Sequence, residues 1–192
     1  TLSYSDVVID EIQGFDPAQI VPIIRQIKET LKLGTRFLII TATLPNIVRK
    51  ELERLGFTVI TDDPLTIDNT KRHKVAILDE DIFSEKDRII QKAREGKNVL
   101  VIVNTVSTSQ ELYNQLKSEY ENTNLLHSRF IYKHRKEKED RILKDYKEGK
   151  GIIWITTQLV EASVDVDFDV LFTEVAPADS LIQRMGRIHR HK

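Results

Sequence analysis

The sequence has no cysteine. That excludes a disulfide framework and any thiolate metal site, and it fits a reducing compartment. A surplus of charge is missing as well: 29 lysines and arginines stand against 30 aspartates and glutamates, for a formal net charge of -1. Net charge therefore gives no general attraction to nucleic acid, and any basic surface must be local. No apolar run approaches the roughly 18 residues of a membrane span, and the first residues lack the basic-then-apolar order of a signal peptide. The expected location is the cytoplasm, with no membrane partner. No low-complexity tract and no internal repeat occurs.

What is present is enough for one large or two small globular units: 192 residues, 40% hydrophobic and 31% charged. Strand signals over Val7 to Ile9, Phe37 to Ile40, Thr58 to Ile60, Val75 to Leu78, Val99 to Val103, near Leu125 and Leu126, Gly151 to Thr156 and Val170 to Phe172 alternate with helical ones. Helices are predicted over Pro17 to Leu33, Asn46 to Leu55, Ser84 to Glu95, Thr108 to Tyr120, Tyr132 to Glu148 and from Asp179 onward. Asp16-Pro17 supplies a cap and a first-turn proline, while Pro22 predicts a later start or a kink. Strands that are continuously apolar rather than alternating argue for buried parallel sheets. The fold class is therefore α/β. The stretch TDDPLTIDNTKRHK, residues 61 to 74, has little periodicity and marks a boundary. The expected organisation is a first unit over 1–63, a linker over 64–74 and a second unit over 75–192.

Open parallel sheets collect ligands at the carboxyl ends of their strands, so the residues delivered there matter most. They are Asp10, Glu11 and Gln13; Thr41 and Thr43; Asn104 and Thr105; and Thr157 followed by Glu161, Ser163 and Asp165. An apolar strand ending in Asp-Glu suits a magnesium ion, since a hard cation takes carboxylate oxygen and a neighbouring acid can polarise water. Asp10 can equally cap the element that follows. The chain ends on SLIQRMGRIHRHK. On one helix Gln183, Arg187 and Arg190 share a face at i, i+4 and i+7, with Leu181, Met185 and Ile188 turned to the core. Guanidinium groups so spaced can grip phosphate oxygens, although a basic helix end also suits the macrodipole.

Order adds what the single motifs lack. Asp-Glu-x-Gln, Thr-Ala-Thr, Thr-Gln-x-x-Glu-x-Ser-x-Asp and Gln-Arg-x-Gly-Arg-x-x-Arg resemble motifs II, III, V and VI of superfamily 2 helicases. The phrases VVIDEIQGFDP, LLHSRF and TTQLVEASVDVDFDVLFTEVAPADSLIQRMGRIHRH are similar to the helicase part of the Cas-three family, the CRISPR-associated helicase-nucleases of type I systems. Ser163 stands where most superfamily 2 helicases place glycine, which favours that family. The resemblance covers nearly the whole chain and is least specific over 61–98.

The resemblance implies RecA-like parallel-sheet lobes, one partial and one nearly complete, and an ATP-dependent motor using Mg2+. By it, Asp10 positions the metal and Glu11 the attacking water, while Thr41, Thr43 and Gln13 couple hydrolysis to lobe movement. Gln13 stands where many relatives carry histidine. Gln183, Arg187 and Arg190 address the γ-phosphate, and Glu161 and Asp165 approach the nucleotide. Asn104, Thr105, Ser128, Arg129 and Thr157 face the phosphates of single-stranded DNA. The implied partners are a Cascade-type CRISPR effector complex and a His-Asp nuclease domain, in cis or in trans. His127 reads as packing or polar support, and Trp154 as core.

Two motifs are absent from the sequence. No Gly-x-x-x-x-Gly-Lys-Ser/Thr occurs, for Gly96-Lys97 and Gly149-Lys150 lack the upstream glycine and the hydroxyl, and no His-Asp dipeptide occurs. The expectation is a piece of a helicase that does not turn over ATP alone. An RNA helicase fragment and a non-catalytic docking module of an effector complex are the alternatives.

Overall fold

The computed structural model describes residues 4–41, 43–60, 73–148, 150–163 and 165–189. The chain divides into two compact units, Thr1–Asn69 and Thr70–Lys192. All but His73 and Lys74 of the expected linker lie outside the described residues. Among the described residues no helix is long and apolar enough to cross a membrane.

In the first unit, β1 (Asp6–Asp10) pairs in parallel with β2 (Arg36–Ile40), with Asp6 opposite Arg36 and Asp10 opposite Ile40. Helix α1 (Pro17–Leu31) crosses between them, and α2 (Asn46–Arg54) follows β2. Asp16 opens α1 with a capping box: its carboxylate accepts from the Gln19 amide at 3.0 Å while the Gln19 side chain accepts from the Asp16 amide at 3.2 Å. The helix runs from Pro17 through Pro22 to Leu31, so the later start does not occur.

Ile12, Ile27, Val48 and Leu52 form this unit's core against Ile9, Phe37 and Ile39. The strands alternate in exposure, against the expectation of sheets buried on both faces, and Val8, Leu38 and Ile40 remain 61%, 55% and 50% exposed. The reason is coverage: the helices pack on one face, and successive side chains point to opposite faces.

The second unit matches the buried-sheet expectation. Four parallel strands lie in the order β4 (Thr123–Leu126), β5 (Ile153–Thr156), β3 (Val99–Ile102), β6 (Val170–Thr173). Val99, Val101, Ile153 and Ile155 face α3 (Lys86–Arg94) and α4 (Val106–Glu119); Leu100, Ile102 and Trp154 face α5 (Tyr132–Glu148) and α6 (Leu159–Ser163). The placement follows from crossover handedness. A right-handed connection running outward from β3 to β4 and one returning to β5 must put their helices on opposite faces. Trp154 is fully buried and its indole donates to Asp145 at 3.1 Å, as a core residue must. Gly151 is required before β5: at φ +65 an added Cβ would lie 2.5 Å from the Ala93 carbonyl.

Three sequence expectations change. The apolar runs 58–60 and 75–78 form no strand, and Ile60 and Ile77 are about nine-tenths exposed at 91% and 89%. A run of β-formers becomes a strand only beside a partner. The last helix, α7 (Ala178–Met185), stops at Gly186. Arg187 therefore lies beyond it and does not share a helical face with Gln183, and Arg190 lies outside the described residues.

Candidate nucleotide and nucleic-acid sites

Strand direction gathers the polar tips at one edge of each sheet. In the first unit, Asp10 ends β1 as an exposed carboxylate and Glu11 turns the chain into a short 3-10 turn, Ile12–Gly14. Glu11 holds φ 53 and ψ 50, while its amide donates to the Ile40 carbonyl at 2.8 Å. A left-handed glutamate costs about 1–2 kcal/mol, and such strain concentrates at functional sites. Gln13 belongs to the turn. Thr41 follows β2 beside this acidic pair, and its hydroxyl donates to the Thr43 carbonyl at 2.5 Å. Asp10 makes no ion pair among the described residues, and a free carboxylate at a strand tip has the donor chemistry a magnesium ion takes.

In the second unit, Asn104 and Thr105 leave β3, Ser128 and Arg129 follow β4, Thr157 follows β5, and Glu174 follows β6. Their commitments differ. Thr105 caps α4, accepting from the Thr108 amide at 3.0 Å, and stays exposed. Ser128 and Arg129 are exposed, whereas Thr157 is only 4% exposed. Asn104 is tied in place: its amide group donates to the Val175 carbonyl at 2.9 Å and accepts from Arg184 at 3.0 Å, and its backbone N–H donates to Glu174 at 2.5 Å.

Arg184 is the centre of this arrangement, and sequence reasoning gave it no role. It is 1% exposed, and its fork reaches Glu161 at 2.8 Å, the Thr173 hydroxyl at 2.7 Å, the Glu174 carbonyl at 3.1 Å and Asn104. A buried guanidinium persists only when paired and hydrogen-bonded, and here all three nitrogens are used. A signal existed. Arg184 stands at i+3 from Leu181, on the same apolar stripe as Met185 and Ile188, where a charge must be buried. Glu161, expected near the nucleotide, is the counter-ion of this pair.

Arg187 sits half-buried in the turn after α7 and donates to the Glu161 carbonyl. The turn is pinned by a parallel bridge between Phe168 and Ile188, by the Phe168 amide donating to the Arg187 carbonyl at 2.9 Å, and by His73, whose Nε2 lies 3.0 Å from the Ile188 carbonyl. Gln183 is half-buried on α7 and Asp165 is exposed. Arg190 lies outside the described residues.

His127 is 3% exposed, stacked on Phe130 with centroids 4.2 Å apart and planes 10° apart. Burial, the main cause, holds its pKa below the usual 6.5, with Lys138 and Arg129 adding to the effect and its own carbonyl opposing it. Sequence reading left this ring as support, and its stacking partner needed the structure.

Residues 95–192 match the family model described as CRISPR-associated nuclease/helicase Cas3, C-terminal. The chain is 33% identical over 98% of its length to the CRISPR-associated nuclease/helicase Cas3 of Methanothermobacter thermautotrophicus, of which it covers 24%. It is 46% identical over 55% of its length to the Escherichia coli endonuclease/helicase Cas3, covering 13% of that protein. Among solved structures, the fold is similar to T. fusca Cas3-ATP, with a TM-score of 0.79 at 22% identity, covering 99% of this chain and 28% of the other. Dbp5 of S. cerevisiae bound to RNA gives a TM-score of 0.67 at 23% identity, covering 100% of this chain and 52% of that one. The chain thus spans about a quarter of the Methanothermobacter relative's length. On these matches, and with RecA-like parallel sheets carrying the helicase motifs in order, the chain belongs to the CRISPR-associated Cas3 nuclease/helicase family.

Proposed function

We propose that this chain is the motor portion of an ATP-dependent translocase that moves on single-stranded DNA in type I CRISPR interference. The observation that carries the reading is positional: the segments resembling the helicase motifs leave the carboxyl ends of parallel strands or, for Arg184 and Arg187, join a network tied to those ends. Asp10 would hold Mg2+, which supplies charge neutralisation on the triphosphate oxygens when bound. Glu11 orients the attacking water and accepts its proton. Arg187 offers a guanidinium to the γ-phosphate, a contribution of roughly 10³ to 10⁵ in rate for such a group. Arg190 is the second candidate on its motif position alone. Thr41 and Thr43, beside the acidic pair, couple turnover to movement.

Thr105, Ser128 and Arg129 are open to strand phosphates, whereas the buried Thr157 and the committed Asn104 shape the edge that presents them. Contacts of this kind position a strand without reading bases. A Cascade-type complex delivers the DNA in this reading, and a His-Asp nuclease domain cuts it. The chain alone, lacking the Gly-x-x-x-x-Gly-Lys-Ser/Thr cradle, hydrolyses no ATP.

The test is ATP hydrolysis by a full-length protein carrying this chain, with and without single-stranded DNA. Strong stimulation by DNA, and loss of turnover with retained ATP binding in Arg187→Ala, is the expected result. Greater stimulation by RNA would move the substrate assignment toward the RNA helicases that Dbp5 represents. No turnover under any condition would favour a docking module.

A further inference from the structure

An open groove of about 510 Å³ lies at the β4 edge of the second unit, lined by Gln110, Tyr113 and Asn114 of α4, by Leu125 and His127, and by Arg129 and Phe130. Its walls combine apolar and polar side chains. Tyr113 supplies aromatic surface, Phe130, covered by His127 on one face and by Lys138 on the other, supplies a ring edge, and Leu125 adds apolar lining. Its polar groups are uncommitted: among the described residues the Asn114 amide and the Tyr113 hydroxyl have no hydrogen-bond partner, and Gln110 has only a long 3.4 Å approach to His127 Nε2.

Two cations stand at its rim. Lys138 lies 4.6 Å above the Phe130 ring, and neither Lys138 nor Arg129 has a carboxylate within ion-pair distance among the described residues. On α5 the cations Arg135, Lys136 and Arg141 are each paired with an acid four residues on. Two cations without a carboxylate partner, beside the buried His127 ring, leave the rim short of an anion.

A planar apolar body, a polar edge and an adjacent negative charge describe a nucleotide. We infer that the groove takes one nucleotide of the single strand: the base enters against the Tyr113 ring and the edge of Phe130, its own edge meets the Asn114 and Gln110 amides, and its phosphate lies between Arg129 and Lys138. Unstacked bases are held in this way by aromatic faces and amide edges. This inference rests on the single-strand reading above, and it adds a base contact to a path otherwise made of phosphate contacts.

The experiment compares binding of an oligothymidylate and an equally long abasic strand to a full-length protein carrying this chain. Wild type should prefer the strand with bases by roughly tenfold. Asn114→Ala, an exposed helix position where alanine is well tolerated, and Tyr113→Ala should each erode that preference, while affinity for the abasic strand stays unchanged. Lys138→Ala should weaken both strands equally and lower the salt slope by about 0.7. Because Tyr113 also packs on the core, Asn114→Ala is the deciding variant. A wild type that binds both strands equally, or an Asn114→Ala protein with undiminished preference, overturns the groove assignment and leaves the motor reading intact. A protein that binds neither strand overturns both.

Discussion

At the scale of single residues, burial separates the arginines that hold the fold from those left for chemistry. Arg184→Ala would leave Glu161, itself 9% exposed, as an uncompensated buried charge. Breaking such a pair costs about 3–5 kcal/mol, so the urea midpoint should drop sharply. Arg187→Ala removes a half-buried group and should lower the midpoint far less. His127 gives a pH-dependent counterpart. Its folded pKa lies below 6.5, so the unfolded chain takes up the proton first. The contribution is complete above about 6.5 and is lost as pH falls from there toward the lowered folded value. The charges of Lys138 and Arg129 enlarge the loss, while Gln110 and Phe130, which touch the ring, carry no charge. Thermal unfolding between pH 7.5 and 5.5, two buffer values of about that range, should show a smaller drop in Tm for His127→Phe than for wild type.

At the scale of elements, α1 depends on its first turn. Asp16→Ala removes the carboxylate that accepts from the Gln19 amide, the side-chain half of the capping box, and should cost about 1 kcal/mol, read as a fall in the stability of the first unit. The sequence made this element legible because cap, proline and apolar spacing agree over Pro17 to Leu31. It made β3 and β5 legible because a strand covered on both faces is apolar almost throughout, whereas β4, which begins Thr123-Asn124, showed only its last two residues. It could not show that the runs 58–60 and 75–78 lack partner strands, since pairing is a long-range property. Helix α6, five residues long, is too short for a periodic signal. The strand-tip residues were readable from motif order, whereas Arg184's burial depended on neighbours brought together from β3, β6 and α6. The groove beside His127 was not readable at all, being made by packing between α4 and the end of β4.

At the scale of the whole molecule, the two units differ in how their sheets are covered. Amide exchange should be slowest in β3 and β5, which have strands on both sides and helices on both faces, and faster in β1 and β2, where one face is open. Nearly uniform protection across all four strands would contradict this. The open face carrying Val8, Leu38 and Ile40 should bind a hydrophobic dye in the isolated chain, and Leu38→Lys should reduce that signal without lowering Tm. The Arg184 knot has its own consequence at this scale. Because one side chain is bolted to the tips of β3 and β6 and to α6, the turn bearing Arg187 cannot shift alone. In mechanical terms it is a rigid lever: a load applied at Arg187 is borne by the strand ends at Asn104 and Thr173, so a push received there moves the edge of the sheet as one piece.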